Sequence, residues 1–294
     1  MTEAAASPDR ADGGPPDAAG FHRWAGGYFA AKSGHDLEAL AGSFDPDIAY
    51  EDAVLCRRTT GADRMRATYA AIFAGAGESA GSTLTWAAGS EGGGAVQFLN
   101  DAALFGAPMQ GVAVIELDRG RVVRQRDYWD GRALPAPTLA RLRAAYPAHL
   151  RPAGLAAVQR SPRSPALGEA ARAYRAALES GSGVARLLAA DAVLEDAARG
   201  VRVVTRDAVA AHLARWSTAL PYGRGARETN VVGGADGGAW EWTASPAFAE
   251  SIGSGVTAVR LAPDGRIAEL VVGWDTSRLS SRRYRELPGP GERA

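Results

Sequence analysis

The sequence predicts an α+β fold used twice: two tandem copies of one domain, each with helices first and a mostly antiparallel sheet after. Three observations carry this. Landmarks recur at a constant offset, with Asp52 and Asp196, and Gly111 and Gly255, 144 residues apart and Trp129 and Trp274 145 apart. Each half opens on helical periodicity and closes on strand-like segments cut by turn residues. The length, 294 residues, suits two domains that each bury a core.

The elements follow in order. Phe21, Trp24 and Tyr28 stand at i, i+3 and i+7 on one helix face; Leu167, Ala171, Tyr174 and Leu178 form the matching stripe. Short second helices are expected over Asp36–Ser43 and Val184–Ala190, then brief strands over Ile48–Asp52 and Ala192–Asp196. A third helix starts behind a threonine cap in each half, Thr60 before Met65, Tyr69, Ile72 and Phe73, and Thr205 before Val209, Leu213, Trp216 and Leu220. Four strands close each half: Thr83–Ala87, Ala95–Ala103, Gly111–Leu117 and Val122–Trp129, then Arg227–Val232, Ala239–Ala247, Gly255–Leu261 and Ile267–Trp274. "DRG" and "PDG" are hairpin turns between the last two strands. The predicted order is ααβαββββ, with helices covering one face of a curved sheet. The expected division is a disordered leader over 1–19, domain one over 20–133, a Pro-punctuated linker over 134–165 with one short helix in "PTLARLRAAY", domain two over 166–284 and a tail over 285–294.

Composition narrows the function classes. The formal net charge is zero, so no nucleic acid is expected as partner. No run of about 18 apolar residues is present, so no membrane span is expected. The first twenty residues lack a basic, then apolar, secretion signal, and the single cysteine, Cys56, fits a reducing cytoplasm. Four scattered histidines make no zinc-ligand set, and no metal is expected. The Gly-rich "GSEGGGA" and "GGADGGA" lie in hairpins, not between a strand and a helix, so they are not phosphate cradles. No Ser-His-Asp set stands at motif spacing. Acid/base chemistry without a cofactor is what remains.

The element order, with "IAYED" after two helices and "DYWD" on the last strand, resembles the SnoaL-like or ketosteroid-isomerase-like superfamily, also called nuclear-transport-factor-2-like, over about residues 20–133 and 166–280. The resemblance implies a cone, a bent sheet wrapped on helices around an apolar pocket. It implies a hydrophobic small-molecule substrate, and either a homodimer or an intramolecular pseudo-dimer through the open sheet face. In the isomerases the base is the Asp of a "VED"-type strand end, matching Asp52 and Asp196, and a helix-one Tyr, matching Tyr28 and Tyr174, donates to the oxyanion. The second acid they need is replaced by Ala113 and Thr257. The tandem layout is similar to the polyether epoxide hydrolase/cyclases, which use a carboxylate pair per pocket. That resemblance implies Glu228 in the second copy and Glu78 in the first as partners. SnoaL-like cyclases use an Asp on a late strand, a place similar to that of Asp127, whose counterpart is Val272.

Strand alternation sends Ile48, Tyr50 and Asp52 to the inner face and Glu51 to solvent; Ala192, Leu194 and Asp196 repeat the pattern. An inward carboxylate needs a partner or a raised pKa, the property of a general acid or base near neutrality; the alternative is an Asp capping a strand-end turn. Glu228 is expected to share a face with Asn230 and Val232, and Gln125, Asp127 and Trp129 to share another. Tyr28 either donates into the pocket or is a satisfied core aromatic. Trp86, Trp129, Trp240, Trp242 and Trp274 are expected to line or fill the cones, and Asp130 and Asp275 to end strands. The leading reading is a cofactor-independent acid/base cyclase of natural-product (polyketide) biosynthesis, opening epoxides by an internal hydroxyl to cyclic ethers on Asp52 and Asp196, with Glu228, Asp127 or Glu78 as partners. The alternatives are an aldol cyclase or isomerase, and a non-catalytic binding protein.

Overall fold

The computed structural model describes residues 18–77, 80–143 and 164–289. The leader over 1–17, linker residues 144–163, tail residues 290–294 and the candidate acid Glu78 lie outside the described residues. The first half contains α1 (Ala18–Ser33), α2 (Leu37–Gly42), β1 (Phe44–Asp52), β2 (Arg57–Thr60), α3 (Ala62–Gly75), β3 (Ser82–Ser90), β4 (Gly93–Asn100), α4 (Ala102–Phe105), β5 (Met109–Asp118) and β6 (Arg121–Trp129). After α5 (Ala136–Leu142), the second half contains α6 (Pro165–Ser180), α7 (Val184–Leu187), β7 (Leu188–Asp196), β8 (Val201–Val204), α8 (Arg206–Trp216), β9 (Arg227–Gly234), β10 (Gly237–Thr243), β11 (Ser254–Leu261), β12 (Ile267–Gly273) and α9 (Ser281–Arg285). Each half builds one six-stranded sheet, ordered β2-β1-β6-β5-β4-β3 and β8-β7-β12-β11-β10-β9. All pairings are antiparallel except β1 with β6 and β7 with β12. This is the α+β class the sequence predicts.

Local chemistry sets the elements. On α1, Phe21, Ala25, Tyr28 and Phe29 are buried on one stripe against the sheet. Helix α6 starts on Ser164, whose hydroxyl accepts from Leu167 N–H, with Pro165 at the first position, and ends at left-handed Gly181. Strands β2 and β8 were not expected: all four residues of β2 and three of the four in β8 are at least partly exposed, and the strands are held as edges by pairing to β1 and β7. Thr60 therefore belongs to β2, and the residue ahead of α3 is Gly61 at φ +91°, which caps with no side chain. Its counterpart Thr205 has φ +86° and does accept from Ala208 N–H. The tail also begins differently from the expectation, since Leu287 is buried in the second core.

The inner, helix-covered face of each sheet holds its own core. The two outer faces pack on each other through Ala95, Val112, Val114, Tyr128, Val232, Ala239, Val256, Ala258 and Val271. Glu51 points outward as its strand position requires, yet it is only 4% exposed, because the second domain covers that face. Arg126 bridges Glu51 (3.6 Å) and Glu241 (3.7 Å) there, and Arg124 bonds Glu116 (3.1 Å) and Glu241 (2.8 Å). Asn230 donates to both Glu116 and Glu241, and Tyr128 donates to Glu241. Trp86 also lies at this interface, donating to Glu269, and not in a cone: a bulge at Thr85 turns it to the outer face. The strand-end acids exchange across the pseudo-twofold axis, as an isologous interface requires. Asp130 accepts from Thr276 N–H (3.0 Å), and Asp275 from Gly131 N–H (3.1 Å).

Candidate functional site

The interior of the first domain gathers polar groups from four elements, α1, β1, α3 and β6. Asp52 and Asp127 are neighbours in register on parallel strands β1 and β6, so both carboxyls project to the inner face. Asp127 Oδ1 accepts from Gln125 Nε2 (2.9 Å), and Oδ2 accepts from the Tyr50 hydroxyl (2.9 Å). Tyr28, on α1, donates to Gln125 Oε1 (3.1 Å) and meets the Tyr69 hydroxyl of α3 at 2.9 Å. The Tyr28 proton is committed to Gln125, so Tyr69 donates to Tyr28. The chain of donors then runs one way, Tyr69 to Tyr28 to Gln125 to Asp127, and supports a carboxylate at its end. Burial nonetheless pushes the Asp127 carboxyl above its ordinary range, against the opposing pull of Gln125, the nearby Lys32 ammonium and Tyr50.

Asp52 sits differently. Its Oδ1 accepts from Val54 N–H (2.9 Å) and Leu55 N–H (2.7 Å), and Oδ2 from Trp129 Nε1 (3.1 Å). Burial pushes it up to about 7, opposed by those three donors and reinforced by the charge of Asp127. Asp196 repeats the arrangement: Oδ1 accepts from Trp274 Nε1 (3.0 Å) and Arg199 N–H (3.2 Å), and Oδ2 from the Tyr222 hydroxyl (3.0 Å). It is 1% exposed, and burial pushes it up to about 6. The Asp–Trp pair closing the turn after the first strand is thus common to both copies, whereas the chain of tyrosines onto Asp127 is not.

The two interiors are chemically opposite. In β1/β6 register Gln125 stands beside Tyr50, and Asp127 beside Asp52. In β7/β12 the same register places Leu270 beside Leu194, and Val272 beside Asp196. Where α3 carries Tyr69, α8 carries Leu213; where α1 carries Lys32 one turn beyond Tyr28, α6 carries Leu178 one turn beyond Tyr174. Leu178, Leu194, Leu213, Leu270 and Val272 are all buried in the second core. The Tyr174 hydroxyl is buried there with no hydrogen-bond partner among the described residues, and its ring packs on Trp240 at 5.5 Å. Trp240, Trp242 and Trp274 fill this core; Trp242 Nε1 donates to Thr257 (3.1 Å).

Glu228 is expected as the partner of Asp196, but the carboxyl oxygens of Asp196 are bonded by Arg199, Tyr222 and Trp274. A bulge at Thr229 breaks the alternation of β9, so Glu228 pairs with inward Trp242 while Asn230 pairs with outward Glu241. The expected shared face of Glu228, Asn230 and Val232 is therefore corrected. Glu228 is partly exposed at the rim, where its charge acts on Arg175 of α6. Gln125 and Asp127 share the inner face as expected, and Trp129 joins them at the strand end in a separate cluster with Val54, Met109, Leu134 and Leu139.

Sequence reasoning missed Lys32. It is half-buried, its Nζ donates to Asn100 Oδ1 (3.2 Å), and it lies over the Phe29 (5.5 Å) and Phe98 (4.9 Å) rings. Burial pushes its amine down to about 8, partly offset by Asp127. The signal was in the composition: of the 33 Lys and Arg residues, Lys32 is the only lysine.

Among the described residues no helix is long and apolar enough to cross a membrane. No protein-family model and no curated protein matches the chain. Solved structures do. The chain is similar to an NTF-2 like protein of unknown function from Burkholderia xenovorans (18% identity, 38% of this chain and 83% of that one, TM-score 0.33). It is similar to an LEH-like epoxide hydrolase from M. tuberculosis (18% identity, 43% and 93%, TM-score 0.36). It is similar, too, to a protein from Shewanella denitrificans provisionally described as a SnoaL-like polyketide cyclase (18% identity, 38% and 91%, TM-score 0.32).

Proposed function

We propose that the chain is an acid/base enzyme with one working interior, that of the first domain, acting on a hydrophobic small molecule that bears a carbonyl group. Asp127 removes a proton beside the carbonyl, and the enolate rearranges or closes a ring, as an isomerase or aldol-type cyclase requires. The observation that carries this reading is the confinement of Tyr28, Lys32, Tyr50, Tyr69, Gln125 and Asp127 to one interior, against a wholly aliphatic counterpart for five of the six. A carboxyl raised by burial and aligned by two donors suits a base near neutral pH. The second domain then serves as a scaffold that covers the outer sheet face, and Asp196 as a cap.

The in-register pair of Asp52 and Asp127 favours a second reading, epoxide opening with Asp52 as acid and Asp127 as base. One experiment separates the two. Incubation with a cyclic β,γ-unsaturated ketone in deuterated water, followed by NMR, reads proton exchange beside the carbonyl; an aryl epoxide in the same buffer reads ring opening. The expected result is exchange with the ketone, reduced at least about 100-fold by Asp127→Asn and unchanged by Asp196→Asn. Epoxide opening without ketone exchange selects the second reading. Loss of activity in Asp196→Asn with its fold intact removes the single-interior assignment.

A further inference from the structure

We infer that the second domain carries a binding site for a small aromatic carboxylate on its helical face, in a groove that the first domain fills with its own rings. The site lies apart from both carboxyl clusters and does not depend on the acid/base reading of Asp127.

The groove runs between α6, α7 and α8 and has a volume of about 140 Å³. Buried Leu178 and Leu213 line it, together with Gly181, Ala214 and Ser217. None of the residues bonded to Asp196 takes part in it.

The internal repeat shows what such a groove holds. The backbone at this place is the same in both copies. His35 N–H bonds the Lys32 carbonyl (3.4 Å) and Asp36 N–H that of Ala31 (2.9 Å); Gly181 N–H bonds Leu178 (3.3 Å) and Ser182 N–H bonds Ala177 (3.2 Å). Both helix ends turn on a left-handed residue, His35 at φ +53° and Gly181 at φ +70°. A histidine adopts that conformation at a cost, a glycine at none. In the first domain the imidazole offsets the cost: it stacks on Phe73 of α3, with ring centroids 4.5 Å apart, and donates from Nε2 to the Ala80 carbonyl (2.8 Å). Phe73 lies one turn beyond Tyr69, and the residue one turn beyond Leu213 is Ser217. Both rings of the stack are therefore absent from the second domain, replaced by Gly181 and Ser217, and these two residues line the groove. The groove occupies the place of the missing rings.

Size, walls and charge name the occupant. A dry apolar cavity of about 150 Å³ takes a benzene ring, so this groove holds one ring. Leucine and alanine walls satisfy no polar substituent, so the polar group of the occupant must point to the edge. Arg224 waits there. Its backbone N–H donates to the Ser217 carbonyl (2.7 Å), and a Cβ at Gly181 would lie 3.0 Å from its Nη2, so its side chain crosses the groove from Ser217 to Gly181. It is exposed and makes no ion pair or side-chain hydrogen bond among the described residues. The nearby Glu179 carboxylate is already taken by Arg175 (3.1 Å) and Gly225 N–H (2.7 Å). Ser217 is 5% exposed, and its hydroxyl has no hydrogen-bond partner among the described residues. A carboxylate on the ring accepts from the guanidinium fork and from this hydroxyl.

The test is titration of the full chain with para-fluorobenzoate, read by fluorine NMR, beside the neutral para-fluorobenzyl alcohol. Saturable binding of the acid is expected, weakened at least about tenfold by Arg224→Ala and abolished by Ser217→Phe, which restores one missing ring. Because that change is made at a buried position, Ala214→Leu supplies a second filling variant from an exposed helix position; it too should abolish binding, at an unchanged melting temperature. Asp127→Asn should leave binding intact, and loss of binding in that variant would put the ligand in the first interior instead. No saturable binding, equal binding of the alcohol, or full binding in Ala214→Leu overturns the inference. So does a wild-type chain that sediments as a dimer when Ala214→Leu sediments as a monomer, since a second copy then covers the groove.

Discussion

At the scale of single residues, three buried carboxyls separate by what touches them. Asp52 and Asp196 each accept three hydrogen bonds, from turn amides or a tyrosine hydroxyl and from a tryptophan, and hold strand ends closed. Asp127 is held by side chains alone, the Tyr50 hydroxyl and the Gln125 amide. Both caps have pKa values above the unfolded value near 4, about 7 for Asp52 and about 6 for Asp196, so the folded state keeps protons that the unfolded chain has released. Their contribution to stability is complete below about pH 4 and is lost as pH rises through about 6 and then about 7. Urea unfolding between pH 5 and pH 8 should show the free energy falling, by up to about 1.4 kcal/mol per pH unit for each proton held. Asp52→Asn should flatten the fall nearest pH 7; an unchanged slope in that variant would show that Asp52 is ionised throughout. Asp52, Asp127 and Tyr28 were legible in the sequence because strand alternation and helical spacing place them. The partition of roles was not, because it depends on which amides curl back onto which carboxyl. Lys32 was legible as a count, yet its place on α1 reads like any helix-end cation.

Elements depart from the sequence reading where the sheets depart from simple alternation or meet each other. The bulges at Thr85 and Thr229 occupy the same place in both copies, turning Trp86 outward and Glu228 inward, and neither has a turn residue to announce it. Glu51, Arg124, Arg126 and Glu241 alternate as ordinary outward charges, and only the partner sheet makes them buried. The pairing across that interface is asymmetric in an informative way. Arg126 sits between Glu51 and Glu241 in one half. In the other half Val271 takes the place of Arg126 and Gln97 that of Glu241, and Gln97 donates directly to Glu195 (2.6 Å). Each half meets its glutamate with a donor, once through a cation and once through an amide. Arg126→Val should cost up to about 3–5 kcal/mol, because buried Glu51 and Glu241 each lose one of the two cations facing them, with Arg58 left beside Glu51 and Arg124 on Glu241. Adding Glu241→Gln recreates the other half's solution, and the double variant should recover more than about 1 kcal/mol of that loss, within the coupling seen for contacting residues. Additive losses in a double-mutant cycle by chemical denaturation would show that the exchange of partners is coincidental.

For the whole molecule, the repeat was the plainest message of the sequence, since a constant offset across distant landmarks survives any uncertainty about strand ends. The repeat concealed the division of labour. One copy keeps its polar interior, while the other has filled the same positions with leucine and valine and packs Trp240 and Trp242 beside the strand-end tryptophan common to both. A buried polar cluster stabilises a fold less than apolar packing of similar volume, so the second domain is placed to support the first. The support has a route, because the apolar interface of the outer faces, the buried charge cluster and the exchanged caps of Asp130 and Asp275 all disappear if either sheet unfolds. The two halves should therefore melt together. Trp240→Ala, in the centre of the second core, should cost about 3–5 kcal/mol and should lower the protection of the slowest-exchanging amides of β4 and β5, in the other domain, by the same amount. Hydrogen exchange of the variant near neutral pH reads this directly. Undiminished protection in β4 and β5, with protection lost from β10 and β11, would mean that the first domain stands without the second, and the scaffold role would then have to be given up.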